Sequence, residues 1–262
     1  MRWLFFALPV LACHSASPPA PPPTDLPYHA ARKHLPHTTA VGRIGQIPVP
    51  AGYQRILYPA NHMATWLQQL PLQPPGTPVR LHNGQVKSFQ NGHYAVLRLP
   101  IGNENLLQCA DAAMYLRARY LYEKQPGTSI HFTDNTGRRH VLPPNATQRA
   151  FQQYLRQVYS YCNTASLERD VTAISYAQLQ PGDLLLRGGF PGHAAVVADM
   201  CVNEKGDKLY LLLQGYMPAQ DLHVLKNPMN DDLSPWYQLL PQAASITTPG
   251  YRFAPADARR FK

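Results

Sequence analysis

The chain has 262 residues, of which 45% are hydrophobic, 15% are charged and 27 are proline, enough apolar material for one sizeable core or two small ones. Lys and Arg number 24 against 15 Asp and Glu, a net charge of +9 with a pI near 9.5, which favours anionic surroundings such as lipid headgroups or cell-wall polymers. No run of five Lys or Arg and no aromatic-basic repeat occurs, so nucleic acid is excluded as the favoured partner.

Residues 1–12 open with a positive charge, run apolar and end in small residues, the pattern of a secretory signal too short to span a bilayer as a mature helix. Val10-Leu11-Ala12-Cys13 resembles the bacterial lipobox, in which the cysteine is acylated and becomes the mature N-terminus. A plain signal peptide is the competing reading, because Pro9 interrupts the apolar run. Acylation of Cys13 would tie the protein to a membrane surface through covalent chains. Residues 13–45 form a Pro-rich, extended linker. A single domain is expected over 46–262, with order beginning near 45–50.

Residues 61–70 predict a helix with Met63, Trp66, Leu67 and Leu70 on one face, stopped by Pro71. Alternation over 78–82, the Asn83-Gly84 turn and the apolar run 93–99 predict a hairpin. A strong helix follows over 105–122, with Asn105 as its cap and Gln108 at capping-box spacing. Residues 124–144 are turn-rich, with a hairpin around 134–137. A second helix is predicted over 147–161, where Phe151, Tyr154, Leu155 and Val158 share a face. Strands over 183–186, 193–202 and 208–214 come next, the last two joined by the loop 203–206. The tail from 218 to 262 reads as irregular, with Trp236 and Tyr237 as packing anchors. Helices early and adjacent strands late predict an α+β fold with an antiparallel sheet.

Four cysteines occur, and with Cys13 assigned to lipid, Cys109, Cys162 and Cys201 remain. Three is odd, so one thiol stays free even if Cys162 and Cys201 pair. Cys109 falls in the first turn of its helix, where the dipole and unpaired N–H groups favour thiolate and can stabilise an oxyanion. The bland reading is a small core residue, since Cys109, Ala113, Leu116 and Tyr120 share a face. His193 opens a buried strand after a glycine turn and needs a hydrogen-bond partner; a thiol would serve, although the histidine could simply cap the turn. Asp199 shares its face by parity but lies too far along the strand to touch it. If 203–206 is a four-residue loop, residue 195 pairs with 214, and Gln214 lies diagonal to His193 on one face; a loop one residue longer or shorter would put it on the other. His93 is an alternative base. A metal set of His193, Asp199, Asp221 and His223 is conceivable but matches no zinc spacing. No phosphate loop or nucleotide fingerprint appears, so no organic cofactor is implied.

Gln108-Cys-Ala-Asp-Ala-Ala-Met-Tyr115, Pro191-Gly-His-Ala-Ala-Val-Val197 and Gln214-Gly-Tyr-Met-Pro218, together with 66–78 and 234–237, resemble the bacterial family called domain of unknown function 4846. The likeness covers nearly everything from about residue 48 onward. More distantly, the segment 179–200 looks like the Pro-Gly-Asp-Leu…His strand pair of NlpC-type papain-like hydrolases. That resemblance implies a papain-like fold with Cys109 as nucleophile, His193 as base, Gln214 as orienting group and Gln108 as an oxyanion candidate. The chain departs from it in carrying Gln-Cys-Ala-Asp where those enzymes usually show Asp-Cys-Ser-Gly. The expectation is a lipid-anchored, periplasm-facing envelope lipoprotein that cleaves an amide bond, in peptidoglycan stem peptides by preference. The alternatives are a non-catalytic binding or scaffold lipoprotein, and a lipid-directed acyltransferase or esterase on the same fold.

Overall fold

The computed structural model describes residues 41–262; Cys13 and the signal segment lie outside them. A mixed α/β body is built on a nine-stranded antiparallel sheet. In chain order the elements are β1 (Tyr53–Arg55), α1 (Met63–Gln68), β2 (His93–Val96), α2 (Cys109–Lys124), β3 (Ile130–Thr133), β4 (Arg139–Leu142), α3 (Gln148–Tyr161), α4 (Thr164–Leu167) and β5 (Val171–Ala173). There follow β6 (Leu184–Arg187), β7 (His193–Asn203), β8 (Lys208–Gln214), β9 (His223–Leu225), β10 (Tyr237–Gln238), β11 (Ile246–Thr247), β12 (Arg252–Phe253) and β13 (Ala258–Phe261).

The main sheet runs β2-β9-β8-β7-β6-β13-β5, with β1 added to β7 and β10 to β8. The spine is β7, whose 11 residues pair with β6 along their first half and with β1 near their end. Its centre is apolar on both sides, as a strand covered on both faces must be. Leu184, Leu186, Ala194, Val196, Leu211 and Leu213 pack into the larger core with the helices. Leu185, Ala195, Val197, Tyr210 and Leu212 pack on the other face with Tyr237, Ile246 and Phe253 from the C-terminal part. Each such Leu contributes about 1.5–3 kcal/mol through burial.

α2 is buried on nearly every side from Ala110 to Leu116, so it lies inside the body rather than along its surface. Its alanines 110, 112, 113 and 118 leave room for close approach to β7. Closest of all is the end of β8, where a Cβ on Gly215 would stand 2.8 Å from the Gln108 carbonyl oxygen. Only glycine lets that strand end meet the helix N-terminus.

Several expectations need correction. Ile44, assigned to the linker, is fully buried in the core, so the folded body includes it. Residues 78–82 form only isolated bridges, Arg80 with Val86 and Leu81 with Gln220, although the Leu81–Gly84 turn closes as expected. The tail is not irregular: β9, β10 and β13 complete the main sheet, and β11–β12 form a separate hairpin. The pairing of Cys162 with Cys201, which the sequence left open, does not occur: both are free and buried.

Candidate functional site

Cys109 is the first residue of α2, but its cap is Gln108 rather than Asn105. The Gln108 N–H donates to Asp111 Oδ2 at 2.9 Å, the acidic half of a capping box. Asn105 instead ties the loop before α2 to the loop after β8: its Oδ1 accepts from the Ala219 N–H at 2.7 Å and from Gln108 Nε2 at 3.2 Å. Gln108 lines the cavity, yet its backbone N–H is committed to Asp111 and its side chain turns back to Asn105. The donors available to an oxyanion are therefore the N–H groups of Cys109 and Ala110 in the first turn.

His193 stands at the head of β7 because the turn before it is packed to the limit. A Cβ on Gly192 would come within 2.3 Å of the Gly189 carbonyl oxygen and 2.4 Å of Thr164 Oγ1. The imidazole is only 3% exposed and is held among Tyr216, Tyr251 and Phe253, with ring centroids at 5.0, 5.1 and 5.8 Å. Its Nε2 lies 2.6 Å from Gln214 Oε1.

That contact depends on a register compensation. Val202 pairs with Lys208, so the β7–β8 loop is five residues long, which by itself would turn Gln214 to the wrong face. A bulge between Val197 and Asp199 shifts the ladder by one, and Val196 then pairs with Leu213. The bulge also moves Asp199 off the histidine's face. Asp199 pairs with Leu211 and is held by Arg55 Nε at 2.6 Å and Gln68 Nε2 at 2.8 Å.

Behind Gln214 lies a group the sequence suggested only as a metal ligand. Gln214 pairs directly with His223 across β8–β9, and its Nε2 is 3.3 Å from His223 Nε2. His223 Nδ1 is 2.8 Å from the Asp221 carbonyl oxygen. A carbonyl can only accept, so Nδ1 of His223 carries its proton and Nε2 accepts from the Gln214 amide. Gln214 Oε1 then accepts from His193 Nε2–H, and His193 Nδ1 is left with its lone pair. The hydrogen-bond order thus fixes the histidine in the tautomer a general base requires. Burial pushes His193 down to about 4 and His223 to about 3, with Lys87 adding to both effects.

Cys109 and His193 line one cavity of about 350 Å³, walled largely by apolar and aromatic residues such as Leu106, Tyr159, Phe190, Tyr216, Met217 and Tyr251. Phe190 and Met217 stand at 87% and 64% exposure. Burial raises the Cys109 thiol, opposed by the N–H of Ala194 and those of the first helical turn. The resting pair is therefore thiol and neutral imidazole. Asp111, on the same cavity, is pushed up to about 8 by burial, and its Oδ1 has no partner.

His93 lines a different cleft, with its Nε2 3.2 Å from the Thr77 carbonyl oxygen. Among the described residues no group of three His, Cys, Asp or Glu is placed to hold a metal ion. Sequence parity reached Gln214, but His223 and Phe253 sit on short strands, and Tyr251 just before one, in a segment that reads as irregular. The alternation of His223 with Leu222 and Val224 was their only local signal.

Fold and site together define a mixed α/β protein whose antiparallel sheet carries a buried histidine–glutamine pair beside a cysteine at a helix N-terminus. The chain belongs to the family described as domain of unknown function 4846, which matches residues 44–142 and 139–260. No curated protein and no solved structure matches it.

Proposed function

We propose that this protein is a cysteine hydrolase of the bacterial cell envelope with a papain-like, NlpC-type arrangement, cleaving an amide bond in peptidoglycan peptides. The observation that carries the reading is the 2.6 Å contact of His193 Nε2 with Gln214 Oε1, which leaves Nδ1 as a base beside the cavity that Cys109 also lines. On attack, Cys109 gives its proton to His193 Nδ1 while Sγ bonds to the carbonyl carbon. The oxyanion is held by the Cys109 and Ala110 N–H groups. His193 returns the proton to the leaving amine, and water then hydrolyses the thioester by the same route. Lipidation at Cys13, a periplasm-facing position and the +9 charge would bring the enzyme to an anionic polymer. No helix of the described residues is long and apolar enough to cross a membrane, which is compatible with an anchor of acyl chains.

The apolar cavity walls favour a second reading, in which the acyl group is a lipid chain and the bond an ester. The test is intact-protein mass spectrometry after incubation with muropeptides and with acyl esters. A Cys109-borne acyl adduct, absent in Cys109→Ala, supports hydrolysis, and the substrate that forms it decides between amide and ester. No adduct and no turnover with either set would sink the enzyme reading in favour of a binding lipoprotein.

A further inference from the structure

A second cleft of about 180 Å³ adjoins the Cys109 cavity, for Tyr216 and Gly250 line both. Its walls include Val79, Phe89, Leu225 and Pro249, and its polar lining is Lys87, His93, His223 and Gln214. Lys87 is the one charged side chain among them. Its backbone is fixed by an N–H bond to the Val79 carbonyl oxygen at 3.0 Å, and its Nζ lies 5.1 Å from the Tyr216 ring centroid. It takes part in none of the ion pairs among the described residues. A half-buried ammonium without a carboxylate is costly, and the Tyr216 face offsets only part of that cost. Beside it lies the part-buried imidazole of His93, whose Nε2 is 3.2 Å from the Thr77 carbonyl oxygen.

We propose that this cleft is a substrate subsite in which Lys87 receives a carboxylate, namely the free carboxyl group of a peptide whose scissile bond lies at Cys109. One cation, apolar walls and neutral imidazoles suit a single negative charge rather than a phosphate dianion. Burial pushes the ammonium's pKa down, and a bound carboxylate would relieve that. The assignment of the anion to a substrate rests on the hydrolase reading; the binding itself does not.

The test titrates the intact protein with N-acetylalanine, N-acetylalanine amide and inorganic phosphate, following the imidazole resonances of His93 and His223 by NMR. The acid should shift both saturably, and the amide should bind at least about tenfold more weakly, the weight of one charge-assisted hydrogen bond. Lys87→Met should weaken the acid by a similar factor, while Cys109→Ala should leave its binding unchanged, so that loss of chemistry and loss of the subsite are read apart. Equal binding of acid and amide, or undiminished binding in Lys87→Met, would overturn the proposal. Tighter binding of inorganic phosphate than of N-acetylalanine would overturn the carboxylate assignment. If Lys87→Met fails to fold, the comparison of acid with amide on the wild type decides alone.

Discussion

Asp111→Asn isolates the buried carboxyl at the third position of α2. The residue is 5% exposed, its Oδ2 accepts from the Gln108 N–H at 2.9 Å, and burial holds its pKa at about 8 against an ordinary 3.8. Because the folded value is the raised one, folding favours the protonated acid. The stability tied to this proton is fully present below pH 3.8, declines as pH rises and levels off near pH 8. At 1.36 kcal/mol per unit, the loss between pH 3.8 and 7 approaches about 4 kcal/mol, an upper bound for a protein whose total is of order 10. Asparagine keeps the shape and the acceptor for Gln108 but cannot ionise. Urea unfolding of wild type and variant at intervals from pH 4 to 8 should therefore show their difference moving in the variant's favour by up to about 1.4 kcal/mol per pH unit. A difference that stays constant across this range would refute the reasoning.

Arg55→Met leaves Asp199, fully buried, with Gln68 and the Met200 N–H as its remaining partners, and should cost about 3 kcal/mol in urea unfolding. Gly215→Ala drives a Cβ to 2.8 Å from the Gln108 carbonyl oxygen; it should cost about 1–3 kcal/mol and slow alkylation of Cys109, whose helix start must move. His223→Phe keeps a ring in place but removes the acceptor for the Gln214 amide. The ¹⁵N shifts of His193 should then reveal a mixture of tautomers where the wild type has Nε2 protonated alone, a change that simple loss of packing would not produce.

The helices and β7–β8 were legible because their signals are local: period-3.6 faces over 61–70 and 147–161, and a two-sided apolar run from His193. Gln214 came within reach by parity, yet the five-residue loop and the bulge at Ala198 are two register errors that cancel. No sequence pattern announced either of them. Asp199 illustrates the same point from the other side, since the bulge turned it toward Arg55 and Gln68. The tail reads as irregular because β9, β10 and β13 are two to four residues long, too short for a period to emerge. Such strands exist only because β8 and β6 offer them edges. With them went His223, Tyr251 and Phe253, so the surroundings of His193 were invisible although the residue itself was not. The cap of α2 moved from Asn105 to Gln108 because Asn105 is drawn to the Ala219 N–H, a partner more than a hundred residues away.

The most direct test of the account is the rate of Cys109 alkylation by iodoacetamide from pH 3.5 to 10 in wild type and His193→Ala. With His193 Nδ1 as the base, the wild-type rate should climb as the imidazole loses its proton near pH 4 and hold a plateau up to the titration of the burial-raised thiol. In His193→Ala that plateau should vanish, leaving a rate that falls about tenfold per pH unit below the thiol pKa, as reaction through free thiolate alone requires. The same log-linear profile in both proteins would mean that His193 takes no proton from Cys109, and the hydrolase account would be wrong.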